Sequence, residues 1–462
     1  MSEFLFKYDP PSPITWAYLS GLLIVALFFK FNRIFSVRNL DLFLLLMLGP
    51  GLLSLRQGIE NESASTQLFG YWWLFGVNAV LLIRALWDSA MVRRPLLDPN
   101  MNASGLLFLA ISLFMFLMAN IINGASNEAD LNSAQRAQLL SHRQASSVEQ
   151  ISLETHGPGF PLLFSLPAIP TSRVLGDRGS EPADVPSNGA TEVAPEDESP
   201  PDNSPDTPPE DESADEYAFT TGQVVTAKVA AILSQLMIVL GMVLIGARHF
   251  DNFTMGCAAA MLYLFLPYTA MYTGNVTHLL PAALLVWAVF NYRLPMLAGV
   301  LLGLAFGTIY YPVFLLPLWF SFYWKRGAWR FLIGIGIALS VLIITQIATS
   351  SDLAMFGSRM QQMFGIHLPQ MKNLSGAWEY WNPVFRWPIL ATFLGLSLLS
   401  LPLWPQPKTL ASLLSCSAAV MLGVQFWHAH SGGLALAWYL PLLLLMVFRP
   451  NLEDRTAVNM VR

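Results

Sequence analysis

The chain carries seven histidines, and six of them fall in or beside turns assigned to one end of its apolar segments: His142, His156, His278, His367, His428 and His430. His249 falls at the other end. Asn275-Val-Thr-His278 and Trp427-His428-Ala-His430-Ser-Gly-Gly each join two apolar runs, and His156-Gly-Pro-Gly opens an apolar loop stretch. Turns at a bilayer surface can converge on one cavity. There neutral imidazole binds metal, and protonated imidazole pairs with phosphate. The His428-x-His430 pair has no acidic residue beside it at ligand spacing, so a phosphate or sugar contact is the favoured chemistry over a metal site. Hydrogen bonding between helix ends is the plain alternative. No cofactor is expected, with a divalent metal ion left open.

Carboxylates that could activate a hydroxyl are scarcer. Asp9, Glu60, Glu62, Glu128, Asp130, Glu149, Glu154, Asp352 and Glu379 fall on the same side as the six histidines. Glu60 and Glu62 stand in a compact loop shortly before Trp72 and Trp73, which suits a base held near the interface; a solvated loop charge is the alternative. Gly376–Trp387 gathers Trp378, Tyr380, Trp381, Phe385 and Trp387 around Glu379 and Arg386. Such rings anchor a helix at the membrane interface or form a stacking platform for a sugar or lipid. Arg386, a cation beside the bilayer, is a candidate for a lipid-linked phosphate.

These groups need a scaffold. The chain is 54% hydrophobic and 12% charged, with mean hydropathy +0.49. A soluble domain of this length carries about twice that charge. Apolar runs are expected as helices near 14–31, 39–55, 68–87, 104–122, 224–245, 254–272, 279–292, 295–309, 312–324, 329–347, 384–402, 410–426 and 434–448. The expected fold is an all-α, polytopic transmembrane bundle of about 11–13 membrane helices, some short, broken or re-entrant. Lys30, Arg33, Arg38, Arg93, Arg94, Arg248, Arg293, Lys325, Arg326, Arg330, Lys408, Arg449 and Arg455 all fall on one side under strict alternation, which puts that side in the cytoplasm. Arg56, Arg359 and Lys372 run against the pattern. The two cysteines, Cys257 and Cys416, lie in apolar runs and support neither a disulfide framework nor a zinc site. No phosphate-binding loop, dinucleotide fingerprint, hydrolase elbow or nucleic-acid patch is present.

Within Leu294–Gly327 two apolar runs flank Gly-Thr-Ile-Tyr-Tyr-Pro, and a break at that depth frees backbone groups that need partners. Tyr310 and Tyr311 sit at the break, where a polar ring tip reaches a cavity or anchors the interface. Gly299, Gly303 and Gly307 form a small-residue stripe for close helix approach. The layout reads as N-terminal membrane helices (1–122), a loop with an interfacial helical segment (123–178), an acidic Pro-rich linker expected to be disordered (179–216), a C-terminal bundle (217–450) and a cytoplasmic tail (451–462). The long loop, 123–223, is expected outside the cytoplasm. Its Thr155–Pro170 stretch is too Pro-rich to span and suits an interfacial or re-entrant position.

Ala298–Gly327 resembles a segment of GT-C-type membrane glycosyltransferases, particularly the polyprenyl-phosphate-mannose-dependent, mannosyltransferase-like branch. The likeness rests on AGVLLGLA, the Tyr-Pro break and the apolar return ending in Trp-Lys-Arg-Gly. Leu280-Pro-Ala-Ala-Leu-Leu-Val-Trp-Ala and Ala437-Trp-Tyr-Leu-Pro-Leu-Leu are similar to that family too. The resemblance implies transfer of a sugar from a polyprenyl-phosphate donor to an acceptor on the extracytoplasmic face of the plasma (inner) membrane. It implies Glu60 or Glu62 as base, with His156, Asn275, His278, Tyr310, Tyr311, Arg386, His428 and His430 serving phosphate and sugar. Membrane lipid and the lipid-linked donor are the expected partners, and nucleic acid is not. Two departures stand out. Many members carry a lysine where this chain has Ile309, and members place the catalytic acid after the first helix, whereas Glu60 and Glu62 follow the second. A non-catalytic membrane scaffold and a lipid or sugar transporter are the alternative functions.

Overall fold

The computed structural model describes residues 11–91, 97–141, 157, 159–176, 219–349, 356–357, 374–401, 406–428, 433–452 and 455–456. The acidic linker at 179–216, His142, His156, His367 and His430 lie outside them. Among the described residues the regular structure is helical, and no strand forms.

The helices are α1 (Pro13–Phe28), α2 (Val37–Leu46), α3 (Leu48–Glu60), α4 (Ala64–Trp87), α5 (Ala103–Asn123), α6 (Glu128–Ser141) and α7 (Phe160–Leu175). They continue as α8 (Thr221–His249), α9 (Phe253–Phe265), α10 (Pro267–Met271), α11 (Val276–Phe290), α12 (Pro295–Thr308), α13 (Leu316–Tyr323) and α14 (Ala328–Thr349). The last four are α15 (Ala377–Tyr380), α16 (Arg386–Leu399), α17 (Leu410–Val424) and α18 (Leu440–Phe448). Polar residues start many of them. The Ser12, Ser36, Asn102 and Asn252 side chains accept from the backbone N–H three residues on, and Thr409 and Ser412 cap α17 reciprocally. Each cap satisfies an N–H group that the first turn leaves without a helical partner.

Among the described residues five helical stretches are long and apolar enough to cross a membrane: Val37–Glu60, Ala64–Trp87, Ala103–Asn123, Thr221–His249 and Ala328–Ala348, and eight shorter apolar helices accompany them. Each apolar run expected to be helical contains helix among its described residues, but several are divided or shorter, as in 434–448, where the α-helix starts only at Leu440. The 39–55 run is interrupted at Met47, a single turn residue of helical dihedrals between α2 and α3, where Pro50 has no N–H to give the carbonyl of Leu46. Pro267 likewise divides α9 from α10, and Pro312 opens a 3₁₀ turn at Tyr311–Leu315 before α13.

The centre of the bundle is α9, α17 and α18. Every residue of α18 is buried, and α9 is buried from Met255 to Phe265. Large apolar side chains are exposed on the outer helices, among them Phe108, Ile111 and Met115 on α5 and Ile337, Val341 and Ile344 on α14. That belt matches a protein solvated by lipid. The glycine stripe does what its spacing predicts. A Cβ at Gly299 would lie 2.3 Å from the Phe331 carbonyl oxygen, and one at Gly303 2.7 Å from the Ala338 Cβ. α12 therefore packs on α14 at a separation only glycine permits.

Candidate functional site

The Tyr-Tyr-Pro break is real, and its freed backbone is satisfied by the long loop. Gly157 N–H donates to the Thr308 carbonyl at 2.8 Å, and Gly159 N–H to the Gly307 carbonyl at 2.9 Å. These carbonyls end α12, where the helix itself supplies no donors. A Cβ at Gly157 would stand 2.4 Å from the Gly307 oxygen, so glycine is required for this approach. The loop thus docks against the break two residues before Tyr310. His156, immediately upstream of this contact, lies outside the described residues.

Beyond the break, several separate turns converge on Trp438. Tyr311 stacks on it with ring centroids 5.3 Å apart. His428 lies 5.5 Å from Trp438 and 4.6 Å from Tyr311. His278 packs edge-on against Trp438 at 6.4 Å, and its Nδ1 is 2.7 Å from the Tyr268 hydroxyl. Tyr310 sits behind Tyr311 at 5.8 Å. Tyr310, Tyr311, His278 and His428 are each half-buried, whereas Trp438 and Tyr268 are buried, so the cluster lies at the edge of the core.

Other groups hold these turns in place. Trp438 Nε1 donates to the Thr277 carbonyl at 3.3 Å. Asp130, from α6, accepts from Val276 N–H at 2.9 Å and lies 3.4 Å from the Thr277 hydroxyl. It thereby caps α11, a role Asn275 occupies by position without making the side-chain bond. The Asp130 carboxyl is fully buried, and burial pushes its pKa up to about 7 against the opposing pull of the bonds from Val276 and Thr277. The Asn275 side-chain oxygen is buried and has no hydrogen-bond partner among the described residues.

Arg386 is placed differently from its sequence reading. It is buried, and its Nε and Nη2 donate to the Trp427 carbonyl at 3.2 and 2.9 Å. Its guanidinium lies 5.9 Å over Trp378. It positions the residue before His428 instead of presenting a charge outward. The aromatic stretch around it folds onto α4: Trp381 packs on Trp72 and Phe75, and Tyr380 donates to Gln67 at 2.7 Å. Ile309, where the resemblance would put a lysine, is 2% exposed and belongs to the core.

Glu60 and Glu62 are exposed at the end of α3. Glu60 accepts from Arg56 Nε at 2.6 Å, and Glu62 has a left-handed φ of 49°. Neither has a described contact with the Trp438 cluster. Tyr268 and Trp438 are members to which the sequence reading gave no role, and Asp130, one of its candidate carboxylates, is bonded to a turn 146 residues away. Among the described residues no group of three or more His, Cys, Asp and Glu side chains could hold a metal ion.

An apolar groove of about 660 Å³ is lined by α4, α16 and α17 residues including Leu82, Pro388, Phe393, Leu396, Val420 and Phe426, and not by the side chains around Trp438. Phe393 lies 5.5 Å from Trp427, so the groove reaches the base of the His428 turn. Comparison with family models, curated proteins and solved structures finds no match.

Proposed function

We propose that this protein is a polytopic plasma-membrane transferase that moves a sugar from a polyprenyl-phosphate donor to a hydroxyl acceptor at the end of the bundle bearing Trp438. On this reading the 123–223 loop is extracytoplasmic and the shorter helices complete a set of about 11–13 crossings. The convergence of His278, Tyr311 and His428 on Trp438, with an apolar groove reaching the base of the His428 turn, carries the proposal.

The chemistry asks for three things. The isoprenoid tail needs an apolar channel, and the groove between α4, α16 and α17 supplies one of suitable character. The sugar needs rings to stack on and polar edges to bond, and the half-buried Tyr311 and His428, backed by the buried Trp438, supply both. The acceptor needs its proton removed as its oxygen attacks the sugar C1 and the C1–O bond to phosphate breaks, releasing polyprenyl phosphate. His278 suits this last task. Its ring is half-buried and held at Nδ1 by the Tyr268 hydroxyl, and imidazole is the side chain that most often serves as a general base. Glu60 and Glu62 remain the rival bases, standing at the rim with Glu60 already paired to Arg56.

Proteoliposomes given a radiolabelled polyprenyl-phosphate sugar and a cell-envelope acceptor fraction test this. Label transfer should fall about 100-fold in His278→Ala, the scale of a lost general base. It should persist in the Glu60→Gln, Glu62→Gln double variant. Loss in the double variant alone returns the base to the rim, and no transfer by the wild type with any such donor sinks the reading.

A further inference from the structure

From Asn252 to Ser351 the sequence holds no Asp or Glu, and its only Lys and Arg residues are Arg293, Lys325, Arg326 and Arg330. The fold gathers all four at one end. Arg293 stands in the turn from α11 to α12, and the other three in the turn from α13 into α14. The two turns are joined, because the Tyr323 hydroxyl donates to the Tyr292 carbonyl. α11 begins at the Trp438 cluster and finishes at Phe290, so both turns lie at the far end of the bundle from that cluster. Arg248, at the close of α8, stands over the Phe290 ring at 5.4 Å and adds its charge to the same face.

These charges are not there to be cancelled within the chain. Arg248 and Lys325 are exposed and Arg293 is half-buried, and none of the three has a carboxylate partner among the described residues. Asp251, the acid next to Arg248 in sequence, is paired with Arg455 instead. The face is also aromatic. Trp324 is 67% exposed and Trp329 is 80% exposed. Gly327, at φ 96°, makes the tight reversal that brings both indoles into one turn with Lys325. An indole collects at the headgroup level of a bilayer because its ring is apolar and its edge polar. The surroundings fix the same level. Beyond Trp329, α14 exposes Ile333, Ile337, Val341 and Ile344, and α12 opens with exposed Met296 and Leu297. The lipid-facing belt therefore runs directly into this basic, aromatic rim.

We propose that the rim binds the headgroups of anionic lipids in the leaflet at its end of the bundle, with Arg248, Arg293 and Lys325 supplying charge and Trp324 and Trp329 lying among the headgroups. A basic cluster beside a membrane span attracts acidic lipid over about a Debye length, and the indoles hold the turn within that distance. An acidic protein would answer the charge but would leave the indoles and the adjoining apolar belt without a purpose. The inference stands independently of the transferase reading, because the rim and the Trp438 cluster occupy opposite ends.

The test uses the full-length protein in nanodiscs of phosphatidylcholine and phosphatidylglycerol, with the lipid retained on release identified by native mass spectrometry. Wild type should retain phosphatidylglycerol about tenfold over phosphatidylcholine. The triple variant Arg248→Gln, Arg293→Gln, Lys325→Gln should lose that preference, since each charge near an anionic surface is worth about fivefold. Arg293→Lys with Lys325→Arg keeps the charges and should keep the preference. Arg173→Gln, which removes an exposed cation on α7 at the other end, should leave it unchanged. Should the triple variant fail to fold, Lys325→Gln alone alters an exposed side chain and should cut the preference about fivefold. Equal retention of the two lipids by wild type overturns the proposal, as does a loss in Arg173→Gln equal to that in Lys325→Gln. Binding of polyglutamate by calorimetry, with no lipid preference, also overturns it and gives the rim to an acidic protein.

Discussion

Arg84 and Arg449 at one end of the bundle, and His278 and His428 at the other, are all polar groups at helix boundaries, yet their surroundings differ in kind. Arg84 on α4 donates to both Asp41 oxygens, at 2.7 and 2.9 Å, and to Asp88 at 2.9 Å. Arg449, just after α18, takes the other Asp88 oxygen at 2.7 Å. Among the described residues two cations and two carboxylates meet there, all within buried side chains, and tie α2, α4 and the segment after α18 together. At the Trp438 end Tyr310, Tyr311, His278 and His428 are half-buried around a buried Trp438, with no carboxylate–guanidinium pair described among them. A bundle of this kind separates its polar groups by purpose. Charges that answer one another hold helices, whereas polar groups left facing a space are available to a ligand.

The contrast can be broken at the closed end first. Asp88→Ala leaves Arg84 and Arg449 buried without their shared acceptor and should cost about 3–5 kcal/mol. Thermal unfolding of purified protein in detergent would register it, and a loss below about 1 kcal/mol would mean the network does not hold the helices. By contrast, His428→Ala should cost little stability and remove most sugar transfer, since its ring lies at the edge of the core. A variant that unfolds would instead make His428 a packing residue. At the break, Gly157→Val should cost about 1–3 kcal/mol, because the added atoms meet the Gly307 carbonyl and force the loop off α12.

A pH effect should follow from Asp130. Its folded-state pKa is raised to about 7. The unfolded carboxyl gives up its proton near 3.9. The native state therefore binds more protons between those values. The site's contribution is fully present below about pH 4 and declines as pH rises through about 7. A melting temperature series should show this decline in the wild type and lose it in Asp130→Asn. The smallest effect should come from Glu60→Gln. Its exposed pair with Arg56 is worth less than about 1 kcal/mol, and a larger loss would show that the rim is structural.

The positions of the helices were legible in the sequence because a lipid-solvated helix must be apolar along its length, whatever it packs against. The Gly299–Gly303–Gly307 stripe was legible for a related reason, since close backbone approach leaves a local spacing. The break at Tyr310-Tyr311-Pro312 was visible too. Its partners, the Gly157 and Gly159 N–H groups, were not, because backbone donors leave no signature in side-chain chemistry. The pairing of Arg84 with Asp41, and of Arg449 with Asp88, was hidden by separations of 43 and 361 residues. Arg386 illustrates the converse. A cation beside an aromatic stretch suggested a lipid-linked phosphate; the fold buries it and sets its guanidinium on the Trp427 carbonyl, a contact the sequence did not reveal. His278 and His428 were singled out from their turns, but only the fold brings both to Trp438.

The claim that the open end is a site for a lipid-linked substrate has a direct measurement. A photoreactive isoprenoid phosphate, activated in proteoliposomes and mapped by peptide mass spectrometry, reports where the ligand rests. Cross-links should concentrate on α16 and α17 along the groove and on Tyr311 or His428 beside its end. Labelling spread evenly over the lipid-facing belt of α5 and α14, and undiminished by excess unlabelled isoprenoid phosphate, would contradict the account.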